Sequence, residues 1–187
     1  MNHPKRHLPI PQNSLRPVRL AHIVFRTKQL QTMIDWYCMV LGAHVVFANP
    51  KIAFLTYDDE HHRIALIGYD ELEKKAPSPS VGFYHVAFTY EGLTQLLQNY
   101  VRLKELGVTP YRPIVHGPTV SMYYRDPDGN EIELQVDAFP SADEATAYMN
   151  GPAFLSDPIG ILFDPEDMIK RYESGESITS LTRRADS

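Results

Sequence analysis

One pattern constrains this chain more than any other: the same run of elements is written twice. In the first half, Arg19 to Phe25 reads as a strand. Leu30, Met33, Ile34, Tyr37 and Leu41 then recur at the spacing of a helix face, which Gly42 closes. Three short strands follow, His44 to Ala48, Ile52 to Tyr57 and His62 to Ile67, parted by the turn residues Asn49-Pro50 and Asp58-Asp59. In the second half, a strand over Phe83 to Phe88 precedes a helix marked by Leu93, Leu96, Leu97, Tyr100, Leu103 and Leu106, with Gly107 at its end. Tyr111 to Val115, Thr119 to Tyr124 and Glu131 to Val136 complete the copy. The halves also match in detail: His22-Ile23-Val24-Phe25 with His85-Val86-Ala87-Phe88, Leu41-Gly42 with Leu106-Gly107, and Ile64-Ala65-Leu66 with Ile132-Glu133-Leu134. A βαβββ unit cannot bury its sheet face alone, so two of them are predicted to curve around one cleft in an α+β domain.

The repeat divides the chain. Residues 1–17, with four prolines, read as an arm, and 18–137 as the domain, with modules 18–67 and 82–137 joined by a charged, proline-bearing linker at 68–81. Residues 138–187 form an extension outside the repeat. In it, Asp164-Pro165 is a helix start, and Met168, Ile169 and Tyr172 give that helix an apolar face. The net charge of −5, without a basic run, argues against a nucleic-acid partner. No apolar stretch approaches the roughly 20 residues of a membrane span, and the first residues lack the apolar core of a signal peptide. A single cysteine, Cys38, excludes an internal disulfide framework, and a cytoplasmic setting is expected.

The chemistry concentrates in three residues. His22 and His85 occupy the same place in the two modules, and Glu133 lies on the last strand of the second. There Ile132, Leu134 and Val136 share one face, while Glu131, Glu133 and Gln135 share the other. Two imidazoles and one carboxylate make a facial set that leaves coordination positions open and suits non-haem Fe(II). Position 65, the counterpart of Glu133, is Ala65, so that strand offers no fourth ligand. Asp126-Pro127-Asp128-Gly129-Asn130 is turn chemistry between the last two strands.

The doubled unit with His22, His85 and Glu133 resembles the vicinal oxygen chelate superfamily, which includes glyoxalases, bleomycin-resistance proteins and dioxygenases. Ile114, His116, Met122-Tyr123, Asp126-Pro127, Gly129 and Glu133 resemble, over its whole length, the signature of the type I extradiol ring-cleavage dioxygenases. His61-His62-Arg63-Ile64-Ala65-Leu66 is similar to the His-His segment of that family. The resemblance spans about residues 18–137. It implies a one-domain vicinal oxygen chelate fold with a cupped mixed sheet around a metal site, in a family where many members carry two such domains. It further implies that His22, His85 and Glu133 bind Fe(II), less often Mn(II). His62 would be the acid–base residue, and His116 and Tyr123 would hydrogen-bond the substrate oxygens. The substrate would be a small aromatic diol (catechol, a substituted catechol or 2,3-dihydroxybiphenyl) cleaved beside the diol with O₂ as co-substrate, in a homo-oligomer. Strand alternation alone favours His61 over His62, because residues 61, 63 and 65 would share a face. The alternatives are a metal-dependent isomerase, epimerase or glyoxalase of the same superfamily, or a drug-binding resistance protein without chemistry.

Overall fold

The structure is a computed structural model that describes residues 15–73 and 79–184. His3, His7 and most of the arm lie outside the described residues. The doubled order is present. The first module comprises β1 (Ile23–Thr27), α1 (Leu30–Leu41), β2 (His44–Asn49), β3 (Ile52–Thr56) and β4 (Ile64–Gly68). The second comprises β5 (His85–Thr89), α2 (Leu93–Glu105), β6 (Arg112–Val115), β7 (Thr119–Arg125) and β8 (Glu131–Asp137). Gly42 and Gly107 stand just past the two helices, both with positive φ.

The cup is built from two mixed sheets rather than one continuous ladder, in the orders β1-β4-β3-β2 and β5-β8-β7-β6. In each, the module's first strand runs parallel to its last. The registers repeat as well, with Val24 opposite Ala65 in the first sheet and Ala87 opposite Glu133 in the second. Ala65 and Glu133 are therefore true structural counterparts.

Both helices pack on the sheet faces turned away from Glu133. Met33, Tyr37 and Val40 of α1 and Leu96 and Leu103 of α2 are buried in one shared core with Leu66, Ile132 and Leu134. Each such side chain contributes about 1.5–3 kcal/mol through burial. The remaining sheet face is left for polar groups, which is why the functional residues stand there.

The Asp126–Asn130 turn also ties the two modules together. Gly129, at φ 76°, closes the turn by donating its N–H to the Asp126 carbonyl at 2.8 Å. The buried Asp126 carboxylate accepts from the amides of Asp128 and Asn130 and from the Tyr37 hydroxyl of α1, the last at 3.0 Å. Gln29, just before α1, donates to Asp128 Oδ1 at 2.7 Å. Burial raises the Asp126 carboxyl above its ordinary value, and its hydrogen bonds oppose that shift. Tyr37→Phe removes a donor from a buried carboxylate and is expected to cost about 1–3 kcal/mol, read as a lower urea midpoint at unchanged slope. An unchanged midpoint would show that the tie carries no stability.

The extension wraps onto the second module. It contains α3 (Ala142–Met149), α4 (Pro152–Ser156), β9 (Ile161–Leu162), α5 (Pro165–Glu173) and α6 (Ile178–Thr182). β9 joins the free edge of β6, with Val115 opposite Ile161 and Ile114 opposite Leu162. Asp164 caps α5 by accepting from the Glu166 amide, as its sequence predicts. Tyr100 and Lys104 of α2 both donate to Glu166, which docks α5 on α2. Among the described residues, no helix is long and apolar enough to cross a membrane.

Candidate active site

Glu133 sits in the middle of β8, on the strand face that alternation assigns to it, and is nearly inaccessible at 5% exposure. β5 runs alongside and brings the His85 ring over it, with Nε2 2.9 Å from Glu133 Oε2. β7 lies on the other side and pairs Tyr123 with Glu133. The Tyr123 hydroxyl bonds to Glu133 and stands 3.0 Å from His116 Nε2. Burial foremost, then the Glu133 charge, raises the Tyr123 phenol well above its usual value, so it is a neutral hydroxyl at pH 7. His116 follows β6 directly. Burial pulls its ring below the ordinary histidine value, against the opposing hydrogen bond to the Ile159 carbonyl and the Glu133 charge. Glu133, His85, Tyr123 and His116 thus form one connected polar line on the face of the second sheet.

His22 and His62 form a second group, on the first module. The chain bends through residues 58–63, held by Arg63 pairing with Asp58 at 2.9 Å, and β4 begins only at Ile64. Alternation therefore does not extend back to the two histidines. His62 packs its ring 4.4 Å from His22 and 4.6 Å from Phe54, while His61 is more exposed, at 69% of its side chain, and lies between Glu60 and His62, with its Nδ1 against that of His62. Burial foremost, then the neighbouring His22 and His61, lowers the His62 pKa.

A small cleft of about 150 Å³ has His22 and Tyr57 from the first module and Val86, Ala87 and Phe88 of β5 from the second on its walls, and none of Glu133, His85, Tyr123 or His116 lines it. His22, expected within the first strand, lies just ahead of β1, whereas His85 is the first residue of β5. A larger groove of about 900 Å³ runs along β1 to Phe83 and Asp128 and holds none of the predicted site residues.

The donor chemistry suits a divalent non-haem metal. A buried carboxylate needs a positive partner, and Glu133 faces an imidazole nitrogen. A second imidazole, His22, lines the adjoining cleft. The structure brings His85 and Glu133 together and leaves His22 with His62. Among the described residues no group of three His, Cys, Asp or Glu side chains stands close enough to hold a metal ion.

Two features of the site escaped the sequence. Arg112 lies opposite Tyr123 in the β6–β7 hairpin, its guanidinium carbon 4.6 Å from the Tyr123 ring centre. Its place across from a predicted site tyrosine was the available signal. The partner of His116 is the backbone carbonyl of Ile159, for which no residue type could have pointed.

Residues 19–134 match the Glyoxalase/Bleomycin resistance protein/Dioxygenase superfamily. The chain is 45% identical over 168 residues to biphenyl-2,3-diol 1,2-dioxygenase 2 of Rhodococcus globerulus, covering 89% of this chain and 88% of that protein. It is 47% identical over 169 residues to biphenyl-2,3-diol 1,2-dioxygenase 3 of the same organism, with the same coverage. A glyoxalase/dioxygenase from Nostoc punctiforme shares the fold, with TM-score 0.54 and 23% identity over 67% of this chain and 97% of that one. The chain therefore belongs to this superfamily and, within it, stands among the ring-cleavage dioxygenases, which are oxidoreductases.

Proposed function

We propose that the protein is an extradiol dioxygenase that opens the ring of 2,3-dihydroxybiphenyl or another substituted catechol beside the diol, with Fe(II) as metal and O₂ as co-substrate. The observation that carries this reading is the bonded line His85–Glu133–Tyr123–His116 beside the second sheet, in a chain alike over most of its length to two biphenyl-diol dioxygenases. His22, His85 and Glu133 would hold the metal. When bound, it would bring the diol and dioxygen onto one ion and lower the pKa of the diol hydroxyls.

The chain's own groups supply the rest. Neutral His62 accepts a catechol proton and later returns it to the departing oxygen. The Tyr123 hydroxyl, kept protonated by burial, has one proton, which it gives either to a substrate oxygen or to His116 Nε2. Phe54 stacks on His62 and helps hold that ring in place. The exposed apolar residues Val24, Val45, Val46 and Phe47 support an assembly of identical subunits, which sedimentation would reveal.

The test is anaerobic loading with Fe(II), followed by oxygen uptake and visible absorbance with catechol, 3-methylcatechol and 2,3-dihydroxybiphenyl. One O₂ consumed per diol, with a yellow product, is the expected result. Metal-loaded protein that gives neither uptake nor colour with any of the three would overturn the reading. The pH profile adds a second check. A histidine with a lowered pKa is neutral above that value and gains its charge only as pH falls through it. His116 is lowered from 6.5, so the acid limb of kcat should lie below pH 6.5. A limb centred above that value would contradict a site that depends on neutral His116.

A further inference from the structure

We propose that the C-terminal extension sets the working tautomer of His116: the Ile159 carbonyl accepts a hydrogen bond from Nδ1–H, which keeps the proton on Nδ1 and leaves Nε2 as a bare acceptor facing Tyr123. The proposal rests on the reading of His116 as a site residue.

The hydrogen-bonding capacity of each group decides the tautomer. A carbonyl oxygen can only accept, and His116 Nδ1 lies at hydrogen-bond distance from the Ile159 carbonyl. Nδ1 must therefore carry a proton. A neutral imidazole has only one N–H, so Nε2 keeps its lone pair. Nε2 is the nitrogen 3.0 Å from the Tyr123 hydroxyl. That hydroxyl has one proton and two acceptors, His116 Nε2 and the Glu133 carboxylate. When Glu133 is engaged elsewhere, the proton has His116 to turn to. In this state His116 Nε2 accepts a hydrogen bond rather than donating one.

The carbonyl is held in place by a built device. Asp157 Oδ1 accepts from the amides of Ile159 and Gly160 at 3.0 and 3.1 Å. Arg184, whose side chain is only 1% exposed, donates to the Asp157 carbonyl and to its carboxylate. β9 then locks onto the strand that leads into His116. Gly160 has φ 98°, and a Cβ there would run into the Val115 carbonyl and the His116 Cα. The loop therefore approaches His116 as closely as a backbone can. The alignments with the two Rhodococcus enzymes are longer than residues 19–134 and the arm together, so they run well into this extension. Ile159 is a positioning residue, since it acts on the chemistry only through His116.

The test is a long-range proton–nitrogen correlation spectrum of the full chain labelled with ¹⁵N-histidine, recorded well above the histidine titration range. The expected result for His116 is a protonated Nδ1 and an unprotonated Nε2. In Gly160→Ala and in Asp157→Ala the ring should populate both tautomers. A wild-type ring protonated on Nε2, or a tautomer unchanged in both variants, would overturn the proposal. Kinetics supply an independent arm. Gly160→Ala should lower kcat by about 10–100-fold, the usual range for loss of an orienting partner, with KM little changed. It should cause no further loss in a His116→Ala background. Additive losses would mean that the loop acts by another route. If the wild type cleaves no diol, the functional reading fails, while the spectrum still decides the tautomer.

Discussion

Glu133→Gln is expected to fold and to lose its metal. The amide keeps the shape of the carboxylate and can still bond to Tyr123, so the β7–β8 pairing and the core beneath it survive. What disappears is the negative charge that faces His85 Nε2 at 2.9 Å. Losing a merely supporting partner weakens metal binding by about 10–100-fold, and loss of a direct ligand should exceed that range. Ring cleavage should fall with it. Anaerobic titration with Fe(II), beside a circular dichroism spectrum to confirm folding, reads both effects. A Gln variant that binds one metal per chain as tightly as the wild type would remove Glu133 from the metal site.

His62→Gln should show the opposite division. Metal affinity should be preserved while kcat falls by about 10²–10⁴-fold, the range for losing a general acid–base group. The geometry favours this residue over its neighbour. The His62 ring packs against His22 and Phe54, and burial with two nearby imidazoles keeps it neutral at lower pH than an ordinary histidine. His61 is the more exposed of the two and lies beside Glu60. His61 touches the His62 ring as well, so His61→Gln should lower kcat, but by less than His62→Gln. A larger loss at His61 than at His62, measured as kcat under saturating diol and oxygen, would reverse the assignment.

These residues also show what could be read from the sequence. The repeat of His22-Ile23-Val24-Phe25 as His85-Val86-Ala87-Phe88 announced two equivalent modules, and the pairing registers preserve that equivalence down to Ala65 and Glu133. Glu133 was legible because strand alternation is a rigid geometric rule, and it holds throughout β8. The same rule pointed to His61, because it assumed a strand where the chain bends. The bend is fixed by side-chain bonds among Thr56, Asp58 and Arg63, which carry no period. β9 has only two residues and no pattern of its own, so its addition to the sheet edge could not be seen. The Ile159 carbonyl was invisible for a simpler reason, since every residue has one. That His22 stands with His62 rather than with the His85–Glu133 pair is likewise a matter of how the two modules pack, and no single strand records it.

In the proposed reaction this site inserts both atoms of O₂ into a catechol ring. The most direct measurement is mass spectrometry of the product formed by Fe(II)-loaded protein from 2,3-dihydroxybiphenyl under isotopically heavy dioxygen. Heavy oxygen on both sides of the broken carbon–carbon bond, allowing for exchange of the carbonyl group with water, is the predicted result. A product with an intact ring, or one whose new oxygen comes wholly from water, would contradict it.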